Sequence, residues 1–356
     1  MRNRFIVAPM TRDSATDEGV PTAAMQEYYE AMAKGGFAAI ITEGTYTDTF
    51  SSKALPNQPG IVTKDQILAW KIITDRIHMH GSLAISQLMH AGALSFNDKT
   101  AIAPSEVRPV GSKMNKAGLA LEMYAVPIEM DKADFEKVID GFVKSARNAE
   151  LAGFDGIEIH AANGYLLDQF LTPHTNTRTD QYGGSIENRF RIIREIFGRI
   201  KEVVSPEFII GLRVSESKVN DLKYRWPDGA NFAKELFREV AKCDFFYIHI
   251  AAEGGNWARE CLYPDGSSST NIARKITGIP VIANGGLHDL SKAQELLDTG
   301  HADLFSIGRA AIADPEWVNK VKVSTKPRSF EKGMISPLFN LENTRRYFEN
   351  EELCPK

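Results

Sequence analysis

The sequence predicts an α/β fold, a TIM (β/α)₈ barrel forming a single domain with long βα loops. Three observations predict it. Short apolar runs alternate with amphipathic helical stretches along almost the whole 356-residue chain. The runs lack the polar alternation of half-solvated strands, as parallel strands covered on both faces do. The connections are lopsided, long after each strand and short before the next, which loads one end of a closed barrel.

The strands expected from the apolar runs are Phe5–Pro9, Ala38–Gly44, Leu83–Leu88, Gly156–His160, Phe208–Val214, Phe245–Ile250, Pro280–Ala283 and Leu304–Ile307. Between them, Phe135, Val138, Ile139, Phe142, Val143 and Ala146 repeat at helical spacing, with Asp131 placed to cap the helix and Gly153 to stop it. A second helix carries Ile186, Phe190, Ile193, Phe197 and Ile200 and opens at Ser185. Helix-to-strand connections such as His80-Gly81, Ala152-Gly153 and Thr299-Gly300 are short. Strand-to-helix segments Thr45–Val62, Met89–Met130, Ala161–Ser185 and Ser215–Asp228 are long. In a barrel these long segments all leave the C-terminal face, where active sites are built. No Gly-x-Gly-x-x-Gly fingerprint follows the first strand, which argues against a dinucleotide-binding domain. Residues 1–320 are expected to form the barrel and 321–356 a C-terminal extension, irregular in pattern, that packs on the barrel or a partner.

Composition excludes several classes. At 43% hydrophobic and 25% charged, with a net charge of −4 and no basic run, the chain offers no surface for nucleic acid. No stretch approaches the roughly 20 apolar residues of a membrane span, and no signal-peptide core opens the chain. Cys243, Cys261 and Cys354 are widely spaced, which fits a reducing cytoplasm and argues against a disulfide framework or a metal site.

Strand ends carry the polar residues. His160, Asn163 and Tyr165 follow the fourth strand. His and Asn three residues apart there can aim two N–H donors at one carbonyl oxygen, polarising it, with the tyrosine hydroxyl as a proton donor beside them. A lone strand-end histidine is more often a structural hydrogen-bonder; the three together change that balance. Pro9-Met10-Thr11 by itself reads as a turn. Gln87 puts an amide at the barrel mouth. Arg213 is a cation in an apolar strand and needs an anionic partner, either a carboxylate inside the barrel or a bound anionic group. Gly285-Gly286 and Gly308-Arg309 close the last two strands, the usual place for a phosphate: glycines let backbone N–H groups close on the anion and the arginine fork adds donors.

These residues lie in longer motifs. Arg4-Phe-Ile-Val-Ala-Pro-Met-Thr11, Ile41-Thr-Glu-Gly44, Gln87-Leu88 and His160-Ala-Ala-Asn-Gly-Tyr-Leu-Leu-Asp-Gln-Phe170 resemble the old yellow enzyme family of FMN-dependent ene-reductases. So does Asn176-x-Arg178-x-Asp180-x-Tyr182-Gly-Gly-Ser-Ile-Glu-Asn-Arg189, the most specific part, and the match covers roughly residues 3 to 318. The resemblance implies a non-covalent FMN in the barrel mouth. Pro9, Met10 and Thr11 would line the isoalloxazine, Gly44 would permit close backbone approach, and Gln87 would bond the pyrimidine edge. Arg213 would face N1 and O2, so that its anionic partner is the reduced flavin. Gly285, Gly286, Gly308 and Arg309 would hold the phosphate. It also implies a transient NADPH or NADH as hydride donor and an electron-poor alkene as substrate. His160 and Asn163 would bind the carbonyl of that alkene and Tyr165 would protonate its α-carbon.

The chain departs from the family pattern in three places. It begins almost at the first strand, so a covering for the barrel floor is expected to be short, which would expose apolar surface to a partner; a homo-oligomer is left open. Met89 stands where relatives carry a bulky aromatic, in a Gln87-to-Ala93 run that lacks a basic residue after Gly92. Asn340–Lys356 matches no family pattern. Two other readings remain: a flavin-binding sensor or scaffold without turnover, and a single-domain dienoyl-CoA-reductase-like enzyme.

Overall fold

Eight parallel strands close on themselves in the computed structural model, which describes residues 1–114 and 121–353. The strands are β1 (Phe5–Val7), β2 (Ala39–Ile41), β3 (Leu83–Met89), β4 (Gly156–Asn163), β5 (Ile209–Lys218), β6 (Tyr247–Ala251), β7 (Val281–Asn284) and β8 (Leu304–Ile307). Each pairs with the next, and β1 pairs with both β2 and β8, so the barrel has no free edge. The predicted fold class is therefore the observed one. Bounds differ mainly where β4 and β5 run on past His160 and Val214, to Asn163 and Lys218. That extension carries site residues on rigid strand instead of loop.

Helices α1 (Ala23–Lys34), α2 (Lys64–Met79), α3 (Lys132–Leu151), α4 (Ile186–Lys201), α5 (Ala230–Val240), α6 (Ser269–Thr277), α7 (Leu290–Asp298) and α8 (Trp317–Lys322) wrap the barrel. The expected caps are present. Asp131 and Asp134 form a reciprocal capping box that opens α3, Gly153 follows its end at φ 81°, and Ser185 accepts from Asn188 N–H at the start of α4. Their apolar faces meet the outer strand residues in one continuous core that includes Phe142, Ile159, Phe190, Leu212 and Phe237. A smaller cluster of Ile6, Ala39, Ile41, Ile85, Tyr247 and Ile282 fills the barrel floor.

Two small sheets build up the long segment after β3. Ile102–Ala103 pairs with Ile128–Glu129, and Ser112–Met114 with Leu121–Met123. The extension is more regular than its sequence suggests: Leu341–Leu353 forms helix α9. Buried Arg12 ties it down, donating to the carbonyls of Phe339 and Asn340 and to Thr344 Oγ1 at 2.9, 3.2 and 2.5 Å. Met334 packs on Ile312 and Ala313 below it. Residues 354–356, Cys354 among them, lie outside the described residues. Cys243 and Cys261 are buried free thiols. No helix among the described residues is long and apolar enough to cross a membrane.

Candidate active site

Strand alternation decides which side chains enter the barrel. Residues two apart share a face, so Gln87, Glu158, His160, Arg213, Tyr247 and His249 all turn inward from β3 to β6. Register then sets their neighbours: Gln87 lies opposite Glu158, and Arg213 lies between His160 on β4 and His249 on β6.

Above them opens a cavity of about 1100 Å³ at the C-terminal mouth. Such a volume exceeds the roughly 300–1,000 Å³ of ordinary small-molecule sites. Pro9, Met10, Thr11, Gly44, Gln87, His160, Asn163, Tyr165, Arg213, Gly285, Gly286, Gly308 and Arg309 all line it. One wall is the segment before α9, through Phe330, Ile335 and Phe339.

The floor of the cavity is a charged network that the sequence reading missed. Glu158 is fully buried. It accepts from Gln87 Nε2 at 2.7 Å and from Tyr247 Oη at 3.1 Å, and pairs with His249 Nδ1 at 2.8 Å. His249 continues to Ser306 Oγ at 2.7 Å, and Asn284 Nδ2 donates to the same hydroxyl at 3.0 Å. Burial pushes the Glu158 carboxyl up, but His249, Arg213 and the Gln87 hydrogen bond outweigh it and hold the group at about 2. The signal was present in the period of two: Glu158 precedes His160 by two residues, and Tyr247 precedes His249 by two, inside runs otherwise apolar.

Arg213 has two carboxylates in electrostatic reach, Glu158 below and Glu253 beyond β6. Neither forms an ion pair with it, and its buried Nε has no hydrogen-bond partner among the described residues. Both of the alternatives left open by the sequence thus have a physical counterpart. The barrel supplies carboxylates, and the guanidinium still presents unused donors to the cavity.

His160 meets Tyr165 edge-on, ring centroids 5.2 Å apart. Burial first, then the Arg213 charge, lower the imidazole pKa to about 3 against the opposing pull of Glu158. The ring is therefore neutral, and its Nδ1 is buried without a partner. Tyr165 is half-buried, and burial together with Glu253 and Tyr124 raises its hydroxyl pKa. Asn163 closes β4 with φ at 64°, and Ser215 Oγ accepts from its backbone N–H at 2.8 Å. Its side-chain donor does not point freely at the cavity. Asn163 Nδ2 donates to Glu253 Oε2 at 2.8 Å, and its Oδ1 is buried and unpartnered.

The glycine turns fit an anion cradle. Gly285 and Gly286 have φ of 114° and 77°, and a Cβ at Gly285 would stand 2.6 Å from the backbone nitrogen of Trp257. At Gly44 the vacant Cβ space is taken by Met89 Sδ, 2.7 Å from where a Cβ would stand, so this glycine makes room for Met89. Unused guanidinium donors, an amide edge at Gln87 and left-handed backbone beside Arg309 suit a planar group that accepts hydrogen bonds and carries a phosphate, as FMN does.

Similarity to known proteins agrees. The family model described as NADH:flavin oxidoreductase / NADH oxidase family matches residues 1–327. A probable flavin mononucleotide-dependent alkene reductase of Leishmania infantum is 33% identical over 89% of this chain and 85% of its own length. The NADH:acrylate oxidoreductase of Vibrio harveyi is 32% identical over 90% of this chain, which spans only 32% of that protein. The solved structure of the old yellow enzyme homologue of Zymomonas mobilis superposes with a TM-score of 0.80 at 28% identity, covering 92% of this chain and 90% of that one. The chain belongs to the NADH:flavin oxidoreductase / NADH oxidase family, the FMN-dependent oxidoreductases of the old yellow enzyme type built on a (β/α)₈ barrel.

Proposed function

We propose that the protein takes hydride from NADPH or NADH and uses it to reduce the C=C bond of electron-poor alkenes, α,β-unsaturated carbonyl compounds first among them and nitroalkenes as a second class. The observation that carries this reading is the meeting of a neutral His160 and a protonated Tyr165 edge-on at the wall of a cavity that also holds Arg213.

FMN, when bound, supplies the chemistry of accepting hydride from a nicotinamide and passing it to carbon. The chain's own residues do the rest. Pro9, Met10 and Thr11 would flank the ring system and Gln87 would meet its pyrimidine edge. Gly44 lets Met89 pack beneath. Arg213 would offer its free donors where negative charge gathers, while Gly285, Gly286, Gly308 and Arg309 would hold the phosphate. A neutral imidazole donates one N–H without bringing a full charge, so His160 can bind a carbonyl oxygen and stabilise the charge that develops there. Asn163 would join it by sharing the N–H pair it now turns to Glu253. Tyr165 keeps its proton at any working pH and delivers it to the α-carbon. Residues 1–320 would make up the FMN-binding barrel, and 321–356 an extension that walls the cavity.

The test is an anaerobic titration of the FMN-loaded protein with NADPH and with NADH, followed by a panel of enones, nitroalkenes and maleimides. Bleaching of the flavin by a nicotinamide and its reoxidation by an enone are expected. Bleaching that only oxygen reverses would overturn the alkene reading.

A further inference from the structure

Among the described residues, Glu253 is the one acidic residue lining the cavity. It follows β6, its side chain is exposed to the cavity, and protein surrounds it on the other sides, so that burial raises its carboxyl pKa. Only one of its oxygens is engaged: Oε2 accepts from Asn163 Nδ2 at 2.8 Å, and Oε1 has no hydrogen-bond partner among the described residues. No ion pair neutralises it there.

The loop that carries Glu253 is fixed from behind. Glu260 accepts from Gly254 N–H at 3.1 Å and from Ser217 Oγ at 2.6 Å, and binds Arg259 at 2.8 Å. Gly255 N–H donates to Ala252 O at 2.8 Å, and Trp257 N–H to Gly285 O at 3.0 Å. The carboxylate cannot swing away with its loop. It stands one hydrogen bond from the amide that would bind substrate oxygen, and close enough to Tyr165 to raise that hydroxyl.

The two cations nearest to it, Arg213 and Arg309, would both be taken up by the cofactor, one at the ring and one at the phosphate. That leaves Glu253, when ionised, without a paired cation on the substrate side, although Lys326 and Arg328 also line the cavity. A second carboxylate placed on His160 and Asn163 would then sit beside a like charge in a confined space. At an effective dielectric near 20, two unit charges roughly 5 Å apart repel enough to weaken binding by about two orders of magnitude.

We propose that Glu253 is a specificity-determining residue that closes this site to α,β-unsaturated carboxylates and selects uncharged or cationic alkenes. The inference rests on the ene-reduction reading and narrows its substrate class. The Vibrio harveyi relative is named for acrylate, so acrylate and its uncharged isostere acrylamide are the discriminating pair. A Gln in place of Glu253 keeps an oxygen for Asn163 Nδ2 and removes the charge.

The experiment uses the FMN-loaded protein, wild type and Glu253→Gln. Benzoate and benzamide, an isosteric pair that needs no turnover, are titrated against the oxidised flavin spectrum. The kcat/KM values for acrylate and acrylamide are measured alongside. The wild type is expected to bind benzamide in preference to benzoate. In Glu253→Gln the ratio of the two Kd values should fall at least about tenfold, and the acrylate-to-acrylamide ratio of kcat/KM should rise by a similar factor. A ratio that moves less than twofold, or a variant that still excludes benzoate, overturns the assignment. Should the variant lose its flavin, a wild type that binds benzoate as tightly as benzamide overturns it equally. If the Kd ratio shifts while neither alkene is reduced, charge selection stands and the ene-reduction reading fails. If both alkenes are reduced and neither ratio moves, the reading stands and the role of Glu253 falls.

Discussion

Gln87 Nε2 donates a 2.7 Å hydrogen bond to Glu158 Oε1 at the centre of the barrel, and this fixes which end of the amide faces the cavity. With its N–H₂ turned down to the carboxylate, Gln87 turns its oxygen toward Gly44 and the cavity mouth. Glu158 thereby orients an amide that would bind the cofactor, while also joining Tyr247 and His249.

Glu158→Gln is expected to destabilise the protein by about 3 kcal/mol, the lower end for breaking a buried charged network, because the amide can still accept one hydrogen bond. The folded carboxyl titrates at about 2 against a reference of 4.5. A depressed pKa means that its stabilisation is present above pH 4.5 and is lost as the pH falls toward 2. Urea unfolding of the flavin-free protein should show the variant weaker at pH 7, with the gap to wild type closing as acid is added. Equal midpoints at pH 7 would remove Glu158 from any structural role.

Glu43 should behave in the opposite sense. It is fully buried, with Arg12 and Asp13 N–H groups on Oε2 at 2.9 and 3.3 Å and Tyr29 Oη on Oε1 at 3.2 Å. Burial exceeds the opposing effects of the Arg12 hydrogen bond and charge, and its carboxyl rises to about 7. A raised pKa gives stability that is full below pH 4.5 and is lost as the pH climbs through 7. Wild type should therefore lose about 3 kcal/mol relative to Glu43→Gln between pH 4.5 and pH 8. Parallel stability curves for the two proteins across that range would show that Glu43 does not titrate there.

Residues at strand ends were legible in the sequence because they stand in local motifs: His160, Asn163 and Tyr165 occupy six residues, and Gly308-Arg309 two. Glu158, His249 and Glu253 were not, because what sets them apart is a neighbour far along the chain. Glu158 meets Gln87 71 residues away and His249 91 residues away, contacts that only barrel closure and strand register create. Asn163 was read as a free donor for the same reason, since Glu253 lies 90 residues on. Helix α9 escaped notice because its apolar contacts come from a few residues, Leu341, Tyr347 and Phe348, in a segment otherwise rich in charge. It is held by Arg12 through Thr344 and nearby carbonyls, with no broad apolar stripe to reveal a helical period.

Gly285→Ala is expected to cost FMN affinity about 10- to 100-fold, consistent with strain of roughly 1–3 kcal/mol at a left-handed position. The added Cβ would stand 2.6 Å from Trp257 N and 2.7 Å from Ala252 Cβ, and the backbone atom cannot rotate aside. Gly198→Ala is the matched control. Gly198 lies inside α4 with nothing within 4 Å of the new Cβ. It should leave FMN affinity alone and raise stability by about 0.5–1 kcal/mol. Fluorescence titration of FMN into each apoprotein, beside thermal unfolding, separates the two. Equal FMN affinities in both variants would disprove a phosphate-side role for Gly285.

Tyr165→Phe isolates the proton from everything else in the site. The ring packs edge-on against His160 and lines the cavity, and phenylalanine preserves both contacts. Burial, Glu253 and Tyr124 raise the hydroxyl pKa, so the wild-type group stays protonated and able to donate across the working pH range, and the variant has no proton to give. Hydride uptake from a nicotinamide requires no proton from Tyr165, and its rate should change by less than a few fold. Reduction of an enone requires one at the α-carbon and should slow by about 10²–10⁴, the usual range for loss of a general acid. Anaerobic stopped-flow of the two half-reactions, each followed at the flavin absorbance, measures both rates on one sample. A loss shared equally between the half-reactions would mean that Tyr165 shapes the pocket and donates nothing. A loss confined to the nicotinamide half would place the residue with the hydride donor instead of the alkene.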